Sequence, residues 1–598
     1  MTSQVIFSVL RQLGVLFEAP GASELGDLPA CDALAQGVDH VLRGHTPLWA
    51  YEHPYYAYPF AQEGLPPVFE FLPPDIGVEG VLAKTRFVVF LGAADTPVFR
   101  RCLKRDDMFL LILEPDARRL ARFAASVPAA RLARRSVILL GESNAFVPPV
   151  SQILPPEFFT VGFPVFYGLP EFTATEQAAR LVELVEILFY RHRVYQLSGQ
   201  ANECSLPVRP IARGLFFDQQ LHSYVNTAEY LRCPDIQPLR KAFQGETAVL
   251  VAAGPDLAER MDYLRSVRER ALVIAVNNAL KPMVAAGIRP HFVVANDTSV
   301  HTGRSWEGLP HLADVSLVGH CLTDLGAEVF GRTFLFGTHL PELYGNRPNL
   351  RLHGSVITTA FSLARYMGCT RGVFVGAQLC SSDPWKLSYS RGSIHEAEAA
   401  PERELTNAWP QLVPVTTLGG QTRYTTLNFL DAAHWLRDEI RVSGIPCVNI
   451  TQESIITGPG VEYSPNFPVE ETGRLGRKLG CVKAAQAPQI PREPVLTALR
   501  SKMHTWNSVA AGVEGILAMQ GADFVTAATQ AMKQFDEGKV TYLVHRFEDF
   551  DNQRFHAAVF MPGPEEGKAQ GLRYYLDHVG RMARYFAGVL TEQLARLG

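Results

Sequence analysis

Three polar clusters, each following a short apolar run, carry the most evident chemistry of this chain: Gly254-Pro255-Asp256, Asn277-Asn278 and Asn296-Asp297. A glycine admits backbone conformations that other residues resist, and lets a ligand approach the chain closely. Asp256 has the residue type of a helix N-cap, and Pro255 bends the chain into the helix that follows. The amide groups at such a helix start favour a phosphate. Asparagine amides present paired donors and acceptors, suited to reading a base or a sugar. A related cluster follows at Gly354-Ser355, where Ser355, Thr358 and Thr359 open an apolar helix suited to a phosphate or carboxylate, and another at Gly376-Ala377-Gln378. Neither GxGxxG nor GxxxxGK(S/T) is present at these turns, which sets aside the standard dinucleotide fingerprint and the P-loop. The plain alternative is an α/β core whose Asn and Asp side chains only make turns.

A proton acceptor is sought among the histidines, whose pKa lies near neutrality. His395 is the first choice. It sits in a polar segment without periodicity, SSDPWKLSYSRGSIHEAEAAPERE, which also carries Asp383, Tyr389 and Arg391. Loops of this length inside a compact domain often act as functional lids. An exposed loop histidine with no task is an equal reading. His320 and His339 are weaker candidates, since each follows an apolar run and has the setting of a packed side chain.

The elements that must position these residues are legible around them. From 247 to 297 three apolar runs alternate with helical patterns over 257–267 and 279–286, the second closed by Gly287 and Pro290. Continuous apolar runs bounded by turn residues read as strands of a buried parallel sheet. The pattern is β-α-β-α-β, which places the three polar ends side by side at the carboxyl edge, where such sheets bind ligands. A helix over 354–367, stopped by Gly368, and a strand over 372–375 continue the theme. A helix over 428–439 and a further strand and turn in CVNITQESIITGPG follow.

Three regions result: 1–210, 211–485 and 486–598. The first opens with Pro and aromatics (Tyr51, Tyr55, Tyr56, Tyr58, Phe60), then shows strands at 87–91, ending in Gly92, and at 109–113, ending in Glu114. An acid closing the second strand is the ribose-binding position of nucleotide folds. The loop Gly92-Ala93-Ala94-Asp95 holds one glycine, however, so a degenerate Rossmann-like domain used for structure or partner contact is the preferred reading. The arginines Arg118, Arg119, Arg122, Arg131, Arg134 and Arg135 read as a solvated helix face, with docking of an acidic partner as the minority reading. One amphipathic helix is expected over 173–196. The last region carries two stripes at spacings of three and four: Leu496, Leu499, Met503, Trp506, Ala510, Val513, Leu517, and Leu572, Tyr575, Val579, Met582, Phe586, Val589. These are the core-facing sides of a helical bundle. The expected fold class is therefore α/β, with a central Rossmann-like parallel-sheet domain, a degenerate N-terminal Rossmann-like domain and a C-terminal helical bundle.

Bulk properties bound the function. The chain has 598 residues, 47% of them hydrophobic and 19% charged, with a net charge of −4. That balance gives no electrostatic case for nucleic acid. No apolar run suits a bilayer, and the N-terminus lacks a basic start and a small-residue cleavage site. The nine cysteines are scattered and never in CxxC spacing, so a disulfide framework or zinc cluster is not expected and a reducing cytoplasm is.

The succession AAGPDL, AVNNALKPMVAAGIRPHFVVANDT, HGSVITTAFSLARYMGCTRGVFVGAQL and VNITQESIITG resembles the bacterial motility-associated factor (Maf) glycosyltransferases over about 247–458. Their central domain is shared with archaeal hydroxymethylpterin pyrophosphokinase-like proteins, and the motifs resemble, more distantly, bacterial sialyltransferases that use CMP-sialic acid. The resemblance implies transfer of a nonulosonic, sialic-acid-like sugar from a CMP-activated donor to Ser or Thr of flagellin, in the cytoplasm before export, for flagellar assembly and motility. Read with the strand ends and helix starts above, it puts donor binding at Gly254, Pro255, Asp256, Asn277, Asn278, Asp297, Ser355, Thr358, Gly376 and Gln378, of which Asn277 and Asn278 match the sialyltransferase pattern; catalysis is assigned to His395 on its place in the loop. No metal ligand is assigned, and a role for Mg²⁺ is left open. Two departures stand out: Gln378 where related sequences carry an acid, replaceable only by Asp383, and Asp256 where they tend to carry Ser. Two alternatives stay open. One is a pterin-type pyrophosphokinase, which needs ATP, Mg²⁺ and clustered carboxylates, with Asp297 and Asp383 as candidates. The other is a catalytically silent flagellin-binding scaffold, favoured by the missing acid.

Overall fold

The computed structural model describes residues 3–18, 22, 41–43, 70–71, 87–133, 135–141, 165–168, 181, 184, 216–326, 328–383, 387–395, 413–538, 540–560 and 564–598. The aromatic cluster from Tyr51 to Phe60, Arg134 and nearly all of the helix expected over 173–196 lie outside them. Contacts divide the chain into two compact units. One comprises Met1–Arg193, Ala377–Tyr389 and Glu398–Pro465, the other Val194–Gly376, Ser390–Ala397 and Asn466–Gly598.

The first unit holds a seven-stranded sheet in the order β1-β6-β5-β4-β7-β2-β3. Its strands are β1 (Leu16–Glu18), β2 (Val41–Arg43), β3 (Glu70–Phe71), β4 (Phe87–Leu91), β5 (Phe109–Glu114), β6 (Ser136–Leu140) and β7 (Val165–Gly168). Strands β1, β6, β5, β4 and β7 run parallel, while β2 and β3 close the far edge in antiparallel pairing. Residues of β5 and β6 are buried throughout. Burial on both faces is what makes their sequences nearly continuous apolar runs, as is usual for strands of a parallel sheet. Helices α1 (Ser3–Gln12), α2 (Pro97–Lys104) and α3 (Ala117–Ser126) join the strands to one hydrophobic core. Thr96 and Asp116 cap α2 and α3 by accepting the amides of Phe99 and Arg118. The same unit contains a hairpin, Val413–Thr416 with Thr422–Thr425, and the helix Leu427–Ser443, which ends at Gly444 in the left-handed region.

The second unit is built on β8 (Thr247–Val251), β9 (Leu272–Val276), β10 (Phe292–Ala295), β11 (Leu312–His320), β12 (Phe330–Phe336) and β13 (Arg371–Val375). They lie in the order β12-β11-β10-β9-β8-β13, each pair parallel. The expected alternation of strand and helix is present, with shorter helices. A 3-10 turn over Pro255–Arg260 precedes α5 (Met261–Val267), and another over Asn277–Ala279 precedes α6 (Leu280–Ala285). Before the sheet comes α4 (Phe216–Val225), and before β13 comes α7 (Val356–Tyr366).

The C-terminal helices are α8 (Arg492–Leu517), α9 (Gly521–Glu537), α10 (Val540–Val544), α11 (Asn552–Phe560) and α12 (Glu565–Leu597). The two stripes read from the sequence are their inward sides: Trp506, Val513, Tyr575, Val579, Met582 and Phe586 are buried. This core is continuous with that of the sheet, sharing Val293, Ala295, Leu317 and Leu335 with the helical residues. Among the described residues, seven cysteines are all free thiols, and no helix is long and apolar enough to cross a membrane.

Candidate site at the carboxyl edge of the central sheet

Parallel neighbours bring the ends of β10, β9, β8 and β13 into one row, with adjacent strands about 4.8 Å apart. Asn296-Asp297, Asn277-Asn278, Gly254-Pro255-Asp256 and Gly376 therefore follow one another along one edge. The row is knit together at β8 and β13, where the Gly254 amide donates to the Gly376 carbonyl at 2.7 Å. Gly376 has φ +63°, and a Cβ there would run into the Ala252 carbonyl oxygen and lie 3.1 Å from the Leu257 Cβ. Only glycine satisfies both conditions.

The asparagine pair is the most telling part. Asn277 is 3% exposed. Its Nδ2 donates to Asn278 Oδ1 at 3.1 Å and to Ser305 Oγ at 3.1 Å, and the Ser305 hydroxyl donates to Asn278 Oδ1 at 3.0 Å. Asn277 Oδ1 is buried and accepts no hydrogen bond. A buried acceptor left unsatisfied costs about 1–3 kcal/mol, so a partner that supplies a hydroxyl or amino proton here gains that much. Ser305 lies 28 residues beyond Asn277, on the 3-10 turn Val300–Ser305. No local sequence signal marks it.

The Gly254 turn departs from the expected phosphate cradle. Its N-cap is Gly254, not Asp256. The Gly254 amide is committed to Gly376, Pro255 has no N–H, and the Leu257 amide donates to the Gly254 carbonyl at 3.0 Å. Asp256 is buried within the first turn, its carboxylate 3.6 Å from the Arg260 guanidinium. Burial raises its pKa, opposed by Arg260. The physical reason is topological: the neighbouring strand's turn takes the amide that an isolated helix start would offer.

At α7 the situation differs. Ser355 is the N-cap yet its side chain caps nothing, and it is half-buried. Thr358 is fully buried and bound within the turn, accepting the His353 amide at 3.0 Å and lying 2.7 Å from the Ser355 carbonyl. Thr359 donates to Asn296 Oδ1 at 3.1 Å, which fastens the α7 start to the β10 end. Asp297 is exposed and shapes its own loop: its carboxylate accepts the Ser299 amide at 3.0 Å, and its carbonyl accepts the hydroxyls of Thr302 and Thr323.

His395 is half-buried, at the end of a described stretch that is tied to the same edge. The Ser390 amide donates to the Ala253 carbonyl at 2.9 Å, and the Ser393 amide to the Ser390 carbonyl at 3.1 Å. His339 is wholly buried against Tyr230 and Tyr344, and burial lowers its pKa to about 4. His320 is buried beside Phe336, its Nδ1 accepting the Leu322 amide. Both are packing residues. Gln378 belongs to the other compact unit, where it is buried and its carbonyl accepts the Ile455 amide at 3.1 Å. Asp383, in that unit too, is exposed, with its amide donating to Ser381 Oγ at 3.1 Å. Among the described residues no group of three or more His, Cys, Asp or Glu side chains is placed to hold a metal ion.

Residues 221–384, the stretch that builds this edge, match the family of 6-hydroxymethylpterin diphosphokinase MptE-like proteins. No curated protein matches the chain. Among solved structures, the chain is similar to a Maf glycosyltransferase from Magnetospirillum magneticum AMB-1, at 15% identity and a TM-score of 0.41, covering 86% of this chain and 80% of that one.

Proposed function

We propose that this chain is a glycosyltransferase that moves a nonulosonic sugar from a CMP-activated donor to Ser or Thr of flagellin, before flagellin is exported. The observation that carries the reading is the clamped Asn277–Asn278 pair with its unpartnered buried acceptor, standing in a row of strand ends beside an uncapped helix start. A cytosine amino group or a ribose hydroxyl supplies the proton that Asn277 Oδ1 lacks. The order and spacing of the sequence motifs support the same reading.

The single phosphate of CMP is assigned to the start of α7 rather than to the Gly254 turn. Ser355 keeps its hydroxyl uncommitted as a cap there, and an eleven-residue helix presents its dipole. In the transfer, the acceptor hydroxyl oxygen bonds to the anomeric carbon of the sugar. The bond from that carbon to the phosphate oxygen breaks, and CMP leaves with the electron pair. The hydroxyl proton passes to a base, for which His395 is proposed. The MptE-like match over 221–384 favours a second reading, diphosphoryl transfer from ATP to a pterin-type alcohol.

Coexpression with flagellin in cells that make the activated sugar separates these readings. Intact flagellin weighed by mass spectrometry is expected to gain whole sugar units with the wild type and none with His395→Ala. Full modification by His395→Ala removes that residue as the base. Unmodified flagellin with the wild type, with sugar and acceptor both verified, rejects the transferase.

A further inference from the structure

The asparagine pair is held by Ser305, and Ser305 rides on a surface loop. Its loop runs from Asp297 through the short 3-10 turn Val300–Ser305, with Asp297 and Val300 exposed. A turn of six residues does not fix its own position. Two side chains of α4, some eighty residues earlier, reach it from behind. Asp218 Oδ2 accepts the Val300 amide at 3.0 Å, and Gln219 Nε2 donates to Thr298 Oγ1 at 3.0 Å. All three side chains in these bonds are buried: Asp218 and Gln219 on α4, and Thr298 on the loop.

Helix α4 is itself anchored on its other side. Phe217 packs against Phe586 with ring centroids 5.1 Å apart, and Tyr224 accepts the Trp506 indole N–H at 2.9 Å. The helix is a fixed post between the helical bundle and the loop. Hydrogen bonds tie the post to residues 298–300, at the start of the loop, and Ser305, at the end of the same 3-10 turn, to both asparagines.

We propose that Asp218 and Gln219 are positioning residues of the nucleotide site, holding the 298–305 loop so that Ser305 keeps Asn277 and Asn278 in the arrangement that leaves Asn277 Oδ1 without a partner from the protein. The inference rests on the donor-site reading above, and adds that the site's geometry is set from α4 rather than from the strand ends alone. Residues that touch no ligand act this way when they lock the groups that do.

The experiment uses the full chain with two readouts: CMP affinity by calorimetry, and amide hydrogen exchange resolved over 277–278 and 298–305. Asp218→Ala is expected to weaken CMP about tenfold, the equivalent of one buried hydrogen bond, at a temperature well below its melting point. Exchange at 298–305 and 277–278 is expected to quicken. Asp218→Asn keeps an oxygen for the Val300 amide, and is expected to bind CMP as the wild type does. Gln219→Leu, which removes the bond to Thr298, gives the same test should Asp218→Ala fail to fold. CMP affinity within twofold of wild type, with exchange at both segments unchanged, overturns the proposal. Should the wild type itself not bind CMP, the donor reading fails, and the exchange readout still decides: quicker exchange at 277–278 sustains the positioning role, and unchanged exchange ends it.

Discussion

At the carboxyl edge of the N-terminal sheet, the Glu114 carboxylate accepts the Ala93 amide at 2.7 Å and the Asp116 amide at 2.8 Å; at that of the central sheet, Asn277 holds a buried oxygen with no partner. Both edges are built from parallel strands ending in polar residues, and from sequence both resemble nucleotide folds. In the first, the amide that would meet a phosphate after the Gly92 turn is bound by the acid that would meet a ribose. Glu114 is fully buried, with Arg119 at 3.6 Å. Each of its two carboxylate oxygens accepts a backbone amide of the same edge. The comparison teaches that a polar strand end points to a ligand only when some of its hydrogen-bonding capacity is left over.

The largest effect is expected where the central edge is tightest. Gly376→Ala forces a side chain into the left-handed region and against the Ala252 carbonyl, at a cost of roughly 3 kcal/mol or more. Urea unfolding monitored by tryptophan fluorescence measures it. A loss under about 1 kcal/mol would mean that the β8–β13 junction is loose and that the row of strand ends is not rigidly set.

The next effect concerns the closed edge. Burial, outweighing Arg119 and the two amides, raises the Glu114 pKa to about 7. A carboxyl whose folded pKa lies above its unfolded value binds its proton more tightly in the native state. Its contribution to stability is complete below about pH 4.5, the unfolded value the shift starts from, and is lost as pH rises through about 7. Glu114→Gln is therefore expected to gain on the wild type in melting temperature between those pH values. Parallel curves would show that Glu114 is ionised throughout, and that the closed edge is an ion-pair site instead.

Much of this was legible in the residues. Strands 87–91, 247–251, 272–276 and 292–295 are apolar runs stopped by turn residues, and the helical stripes at Trp506 and Phe586 follow a period that burial enforces. What was not legible depends on partners distant in sequence. The carbonyl that takes the Gly254 amide belongs to Gly376, so Asp256 as cap and the Gly254 turn as phosphate cradle could not be tested locally. Whether Glu114 faces a ribose or its own backbone depends on the Ala93 amide, 21 residues away. Ser305 and the α4 anchors carry no motif at all, since a serine, an aspartate and a glutamine acquire their roles only when the loop folds back over α4.

The central claim is that the unpartnered buried acceptor at Asn277 belongs to a cytidine nucleotide site. Calorimetric titration with CMP and with ATP, on the wild type and on Asn277→Ala, tests it most directly. The account predicts that CMP binds more tightly than ATP, and that Asn277→Ala weakens CMP by about 1–3 kcal/mol. Equal CMP affinity in the two proteins, or tighter binding of ATP than of CMP, would contradict it.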